Sequence, residues 1–272
     1  MILVTGDEGK LGSRVKSLLG DEAKGYDLQR GQDILDSGAL VGAMDGCEMV
    51  VHCAGIPHPN AGDFVDYART NVWGTINILE AARALKVKRV VYFSSTAYYG
   101  CNVAGKLNPL YLPIDEAHPP ANCEGRSRGM LDAFNQSKVM AEQALAWYGT
   151  QGLVQTVALR CAPANPKSGQ YPDGFDWRSC TDYRRGGFWA NCHPDYAAKA
   201  AVLAVRHEGP FWYEAFNLCD RYVPACVDLT AFLLAEYPDL QRSMIFRSRE
   251  GHSLFDTTKA QEVLGWEPCD ER

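Results

Sequence analysis

At 272 residues the chain has room for one large α/β domain with a small appendage, and 46% hydrophobic against 22% charged residues is the balance of a folded globular protein. No apolar run approaches the ~18 to 20 residues needed to cross a bilayer. A formal charge of −6 argues against a nucleic-acid surface, which needs clustered Lys and Arg.

The chain opens on MILVTG, a strand followed by a glycine turn, so no secretory signal is expected ahead of it. Ten cysteines occur with no CxxC pair and no regular spacing. Several, such as Cys53 in VVHCAG, sit in apolar runs as small hydrophobes. Cys180, Cys192 and His193 form the one metal-like group, and it lacks a fourth ligand, so no metal is expected. Reduced thiols in a cytoplasmic protein are the reading.

In chain order, ILVTG reads as a strand, and KLGSRVKSLLG carries Leu11, Val15, Leu18 and Leu19 at a helical period. A short strand is expected at GYDL, a helix from Ser37 to Met44, and a buried strand at MVVHCAG. One long helix is predicted from about Phe64 to Leu85, then a strand at RVVYFSS and a Pro/Asn/Gly-rich loop from Gly100 to about Ser127. LDAFNQSKVMAEQALAWYG reads as an amphipathic helix and LVQTVALR as a strand. This alternation is the pattern of a parallel sheet with crossover helices. Residues 161–194 read as a loop-rich lid, PDYAAKAAVLAVRH as a helix and YEAFNL as a strand. Beyond residue 223 the pattern gives small helices and one short strand. The predicted organisation is a dinucleotide-binding region over 1–160, completed by about 195–222. Residues 161–194 and 223–272 form a substrate-binding lid and cap.

Thr5-Gly6-Asp7-Glu8-Gly9-Lys10-Leu11-Gly12 lies between the first strand and first helix. Glycines there let backbone N–H groups approach a pyrophosphate seated on the positive helix terminus. Asp7 and Glu8 put two carboxylates in that turn, and their charge is expected to weaken phosphate binding. Asp27, about 20 residues beyond Gly6, is placed to accept from the adenosine ribose hydroxyls. That favours NAD over NADP, whose 2′-phosphate would meet a carboxylate, while Arg30 nearby leaves NADP as the lesser alternative.

TGDEGKLG, QDILD, VVHCAGIPHP, TNVWGTINILEAAR, RVVYFSSTAYYG, FNQSKVMAE, the ALR strand end, FNL and TTKAQEVLGWEP stand in one order along nearly the whole chain. In that order they resemble the extended short-chain dehydrogenase/reductase superfamily, in its NAD-dependent epimerase/dehydratase branch. The resemblance implies a Rossmann-type doubly wound parallel sheet with a small C-terminal substrate-binding cap. It also implies adenine contacts at Asp33 and Ile34, a segment under the ribose at Ala54 and Gly55, and a supporting side chain at Asn71. Ser95 matches the catalytic serine, and Lys138 the catalytic lysine that also grips the nicotinamide ribose. The helices at about 64–85 and 129–149 resemble those of a four-helix homodimer interface.

One position departs from the family's YxxxK. Tyr and Lys there lie one helical turn apart, and the phenol exchanges a proton with the substrate. Four residues before Lys138 this chain has Phe134, which keeps the shape and deletes the proton. Tyr98 or a bound water is the substitute considered, since Tyr99 matches a turn tyrosine that is normally not the base. Cys192 stands where an acid is expected, and Arg126 and Arg128 lie in a loop that could meet an anionic substrate. The leading expectation is an NAD-binding enzyme acting on a small sugar-like or hydroxylated carbonyl compound with altered acid/base chemistry. The alternatives are a non-redox lyase, isomerase or cyclase, and a regulatory protein that binds a dinucleotide or metabolite without turnover.

Overall fold

The computed structural model describes residues 1–100, 109–120, 132–166, 176, 178–179, 187–237 and 251–270. Six parallel strands form one sheet: β1 (Ile2–Thr5), β2 (Ala23–Tyr26), β3 (Met49–His52), β4 (Arg89–Ser95), β5 (Gln155–Cys161) and β6 (Glu214–Leu218), in the order β2-β1-β3-β4-β5-β6. This is the Rossmann-type doubly wound sheet expected from the alternation of elements. The helices are α1 (Gly12–Leu19), α2 (Ser37–Met44), α3 (Phe64–Tyr67), α4 (Gly74–Ala84), α5 (Ala133–Thr150), α6 (Pro194–Arg206), α7 (Leu229–Glu236) and α8 (Thr258–Leu264).

Period-two alternation along the strands builds two cores. Val4, Val51, Val91, Phe93, Leu159 and Phe216 face one way, toward α1 and α6. Leu3, Val50, Val90 and Tyr92 face the other, toward α2, α4 and α5. On the first face α6 offers mostly alanines, with Ala197, Ala198, Ala200, Ala201 and Ala204 fully buried, so that it lies close to the strands. Leu254, Phe255 and Trp266 from the C-terminal region join this same core, and the Trp266 indole donates to the Tyr196 carbonyl at 2.8 Å.

Two local readings shift. The second strand ends at Tyr26, one residue before Asp27 rather than through Leu28, because the Asp27 carboxylate accepts the Gln29 amide and caps a short 3₁₀ turn over Leu28–Arg30. The long helix predicted over 64–85 is continuous but not uniform. Between α3 and α4 the residues Ala68–Trp73 are wound as a π segment, and it carries Asn71. In the C-terminal region the described residues contribute isolated bridges, Ile114 with Phe255 and Tyr222 with His252, rather than a further strand of the sheet.

Register brings Thr5, Tyr26, His52 and Ser95 to the carboxyl edge of the sheet, where Thr5 pairs with both Tyr26 and His52 and Ser95 pairs with Cys161. The chain reverses its direction of winding between β1 and β3, and ligands in open α/β sheets bind outside the strand ends at such a point.

Candidate functional site

The glycine turn leaves β1 through Gly6, whose φ of +68° suits glycine and whose missing Cβ would lie 2.7 Å from the Ala54 nitrogen. A Cβ on Gly12 would come within 2.1 Å of the Gly6 carbonyl oxygen, so α1 starts in direct contact with the turn. Gly9 closes the turn by donating its amide to Gly6 O at 3.0 Å. Beyond it the amides of Lys10, Leu11 and Gly12 donate no hydrogen bond within the protein among the described residues. Unpaired N–H groups at the start of a two-turn helix are donors for an anion, so the turn fits a pyrophosphate. The Lys10 ammonium reaches across to Ala164 O (2.9 Å) and Asn165 Oδ1 (3.1 Å), tying the turn to the segment after β5.

Asp7 does not face that anion site. Its carboxylate is fully buried and paired with Lys16 at 2.6 Å and with Arg30, which also pairs with Glu8. Gly25 on β2 makes the room, since a Cβ there would lie 2.0 Å from Asp7 Oδ2. Burial works against the Asp7 charge, and its bonds to Arg30 and Lys16 outweigh burial and hold the pKa below the usual carboxylate value. The expected repulsion from Asp7 and Glu8 is therefore corrected: the two carboxylates are compensated by cations before any phosphate arrives. Asp27, at the tip of β2, accepts from the Glu8 and Gln29 amides at 3.0 and 2.8 Å. Asp33 accepts the Leu35 amide at 2.9 Å, and the buried Ile34 packs against Gly74 of α4.

Ala54 and Gly55 follow β3, and Asn71 fixes the chain just beyond them. Its Oδ1 accepts the Ile56 amide at 2.8 Å and its Nδ2 donates to Ile56 O and to Ser137 Oγ on α5. The π segment thus turns one buried amide onto two elements at once, a use common to such bulges at functional sites.

Ser95 ends β4, half-buried, with its hydroxyl accepting the Ala97 amide at 3.1 Å. Phe134 lies one turn of α5 before Lys138, 4% exposed, packed on Tyr67 and Ala97. The Lys138 ammonium sits 5.7 Å from the Phe134 ring centroid and donates to Tyr92 Oη (2.9 Å) and Phe93 O (3.0 Å). Burial, against a partial offset from Glu142, lowers its pKa to about 8. Tyr98 is held elsewhere: the Arg160 guanidinium lies 3.6 Å over its ring, and Tyr99 meets it edge-on. Lys138 is thus brought to Tyr92, not to Tyr98.

Tyr92 belongs to a buried polar chain that the sequence reading missed. The Thr75 hydroxyl donates to Asn71 O at 2.6 Å, so its oxygen accepts from His52 Nε2 at 3.1 Å. That places the ring proton on Nε2 and leaves Nδ1 to accept from the Thr5 hydroxyl at 2.8 Å. Burial and the Lys138 charge push the His52 pKa down to about 3, so the ring is neutral. The signal was available, because a His and a Tyr inside the apolar runs VVHCAG and RVVYFSS must find partners when buried. A second buried cluster backs α5, where Glu142 accepts from Arg160 at 2.8 Å, from Tyr213 at 3.0 Å and from Ser94.

Arg126, Arg128 and Cys180 lie outside the described residues. Among the described residues no group of His, Cys, Asp and Glu is placed to hold a metal ion, and no helix is long and apolar enough to cross a membrane.

Residues 2–166, more than half of the chain, match the profile of the NAD dependent epimerase/dehydratase family. The chain belongs to that family. Mouse UDP-glucose 4-epimerase is 35% identical over 140 residues, which are 48% of this chain and 37% of that protein. The L-arabinose 1-dehydrogenase (NAD(P)(+)) of Haloferax volcanii is 34% identical over 170 residues, 58% of this chain and 65% of that protein. The match thus spans little more than a third of the length of the epimerase. The solved UDP-glucose 4-epimerase from Brucella ovis in complex with NAD superposes with a TM-score of 0.70 at 23% identity, covering 98% of this chain and 93% of that one. A tyrosine-to-alanine mutant of the Agrobacterium tumefaciens uronate dehydrogenase complexed with NAD gives 0.66 at 18% identity, covering 99% and 84%. At such identities the superpositions speak for the fold, and the profile match speaks for the family.

Proposed function

We propose that the protein is an NAD-binding enzyme that oxidises or reduces a carbinol carbon of a sugar-like or hydroxylated carbonyl substrate, with Lys138 moving the proton that the family's phenol would move. The observation that carries this is the Lys138 amine, with a pKa of about 8 and one turn from a ring without a hydroxyl. Two of its N–H groups are held by Tyr92 and Phe93, which fixes the amine and leaves one proton uncommitted.

The amides of Lys10, Leu11 and Gly12 would hold the pyrophosphate, Asp27 the adenosine ribose, and the Asp33–Ile34 and Ala54–Gly55 segments would flank the adenine and ribose. When bound, NAD supplies the hydride acceptor or donor. The Ser95 hydroxyl holds the reacting oxygen of the substrate. In the oxidative direction the hydroxyl proton of the substrate passes to the neutral Lys138 amine, directly or through one water. Phe134 then serves as an apolar wall that keeps the amine desolvated. The names of the relatives, a UDP-glucose epimerase and an L-arabinose dehydrogenase, support a sugar or sugar nucleotide as substrate class.

The test is calorimetric titration with NAD, followed by a screen of free sugars and UDP-sugars for a change in nicotinamide absorbance. Oxidation should rise with pH through about 8, because only the neutral amine takes a proton; reduction should fall over the same range. Lys138→Arg should abolish turnover, since guanidinium does not titrate there. NAD binding with no turnover of any sugar would leave the second reading, a dinucleotide- or metabolite-sensing protein, which Phe134 also favours.

Exposed apolar side chains on the α3–α4 rod (Phe64, Val65, Trp73) and on α5 (Trp147) support a homodimer through these helices.

A further inference from the structure

We propose that Asp7 sets the dinucleotide preference of this protein, by holding the Arg30 guanidinium away from the ribose 2′ position beside Asp27. The inference rests on the dinucleotide reading of the glycine turn and adds a residue that decides between NAD and NADP.

Arg30 follows Asp27 by one short turn, and the two charges lie close enough to interact. A 2′-phosphate arriving beside the Asp27 carboxylate needs a cation to compensate it, and guanidinium is the group suited to that task. Here every nitrogen of the guanidinium is engaged: Nη2 on Asp7, Nη1 on Glu8 and Nε on Gln32 Oε1 at 3.2 Å. Gln32 Oε1 also accepts the Asp27 amide at 3.0 Å, so the clasp is built into the same turn that presents Asp27.

Asp7 is the buried half of the clasp. Its side chain has no exposure, whereas that of Glu8 is 44% exposed and competes with water. The socket is shaped for a carboxylate: Gly25 offers no Cβ, and Lys16 binds the second oxygen. A guanidinium released from Asp7 would leave a buried carboxylate with one cation fewer, so the native arrangement resists the swing toward a phosphate. In this account Asp27 discourages the 2′-phosphate directly, and Asp7 withholds the cation that could offset Asp27.

Calorimetric titration of NAD and NADP into the wild type and variants tests this, with thermal unfolding run on each protein. The wild type should bind NAD more tightly than NADP, and Arg30→Ala, which uncovers Asp7 and Glu8 toward either dinucleotide alike, should leave the NADP to NAD ratio unchanged. Asp7→Asn keeps the shape of the side chain and removes its charge. It should tighten NADP on the order of tenfold while leaving NAD within about twofold, the effect of one added charge-assisted hydrogen bond to the 2′-phosphate. Adding Arg30→Ala to Asp7→Asn should cancel that tightening. If Asp7→Asn does not fold, Glu8→Gln on the exposed side of the clasp should move NADP affinity the same way by a smaller factor. A folded Asp7→Asn, or Glu8→Gln in its place, with an unchanged NADP to NAD ratio overturns the proposal, as does a fall in NADP relative to NAD in Arg30→Ala alone. A wild type that binds NAD yet meets either of those results refutes the clasp only. A wild type that binds neither dinucleotide refutes the dinucleotide reading and the clasp with it.

Discussion

Replacing Phe134 by Tyr should put a phenol at the position where the family resemblance implies one. The ring is already buried against Tyr67 and Ala97, so only the hydroxyl changes its surroundings. Lys138 Nζ lies 5.7 Å from the ring centroid. A unit charge at ~6 Å, with an effective dielectric of ~20, is worth ~3 kcal/mol to a phenolate, and burial of the ring works against that pull. An acid/base group so placed typically contributes on the order of 10² to 10⁴ in rate. Against this, a buried hydroxyl that finds no partner costs about 1 to 3 kcal/mol of stability. Nicotinamide absorbance under saturating NAD, over a panel of sugars and UDP-sugars, reads the first effect, and thermal unfolding reads the second. Phe134→Tyr should turn over at least a hundredfold faster with a modest loss of stability. A folded, NAD-binding Phe134→Tyr that is no faster than the wild type would refute the expectation that a phenol one turn from Lys138 adds an acid/base group to this site.

Glu142→Gln should be the most damaging of the conservative changes on α5, because it strands a guanidinium that is 3% exposed and leaves one acceptor oxygen where Tyr213 and Ser94 now use two. Breaking a buried pair of this kind costs about 3 to 5 kcal/mol, so the melting temperature should fall on the order of 10 °C, and a change of a degree or two would contradict the buried-network account. Gly12→Ala drives a Cβ to 2.1 Å from a backbone oxygen; it should abolish NAD binding by calorimetry even where circular dichroism finds the fold retained. Trp73→Glu on the exposed face of the rod should turn a dimer into a monomer in sedimentation, and a wild type that sediments at 30.0 kDa would remove the dimer from consideration.

The sheet was legible because its strands are apolar runs separated by helices with a clear period, and the start of α2 at Ser37 follows from the Asp36 cap that accepts the Ala39 amide. The site residues that the family resemblance implied are placed by the register of β4 for Ser95, by one turn of α5 for Lys138 and by the π segment for Asn71. What did not show in the pattern was pairing across the sheet. Asp7 looked like a charge in the phosphate turn, yet Lys16 and Arg30, nine and 23 positions away, reach it and change its meaning. The π segment was hidden because one inserted residue barely disturbs the apolar spacing of a long helix. Tyr92 reads as a strand residue in RVVYFSS until β4 and α5 are packed face to face.

The late arrival of Leu254, Phe255 and Trp266 in the same core as Val4, Val91 and Leu159 has a consequence for biogenesis. At roughly 5 to 20 residues per second, more than a hundred residues separate the synthesis of Leu159 from that of Trp266, so the part of this face that α1 and α6 leave open waits for many seconds before its cover is made. During that interval its valines and phenylalanines are a surface for chaperones or for aggregation, and slowing translation between β6 and α8 would lengthen the exposure.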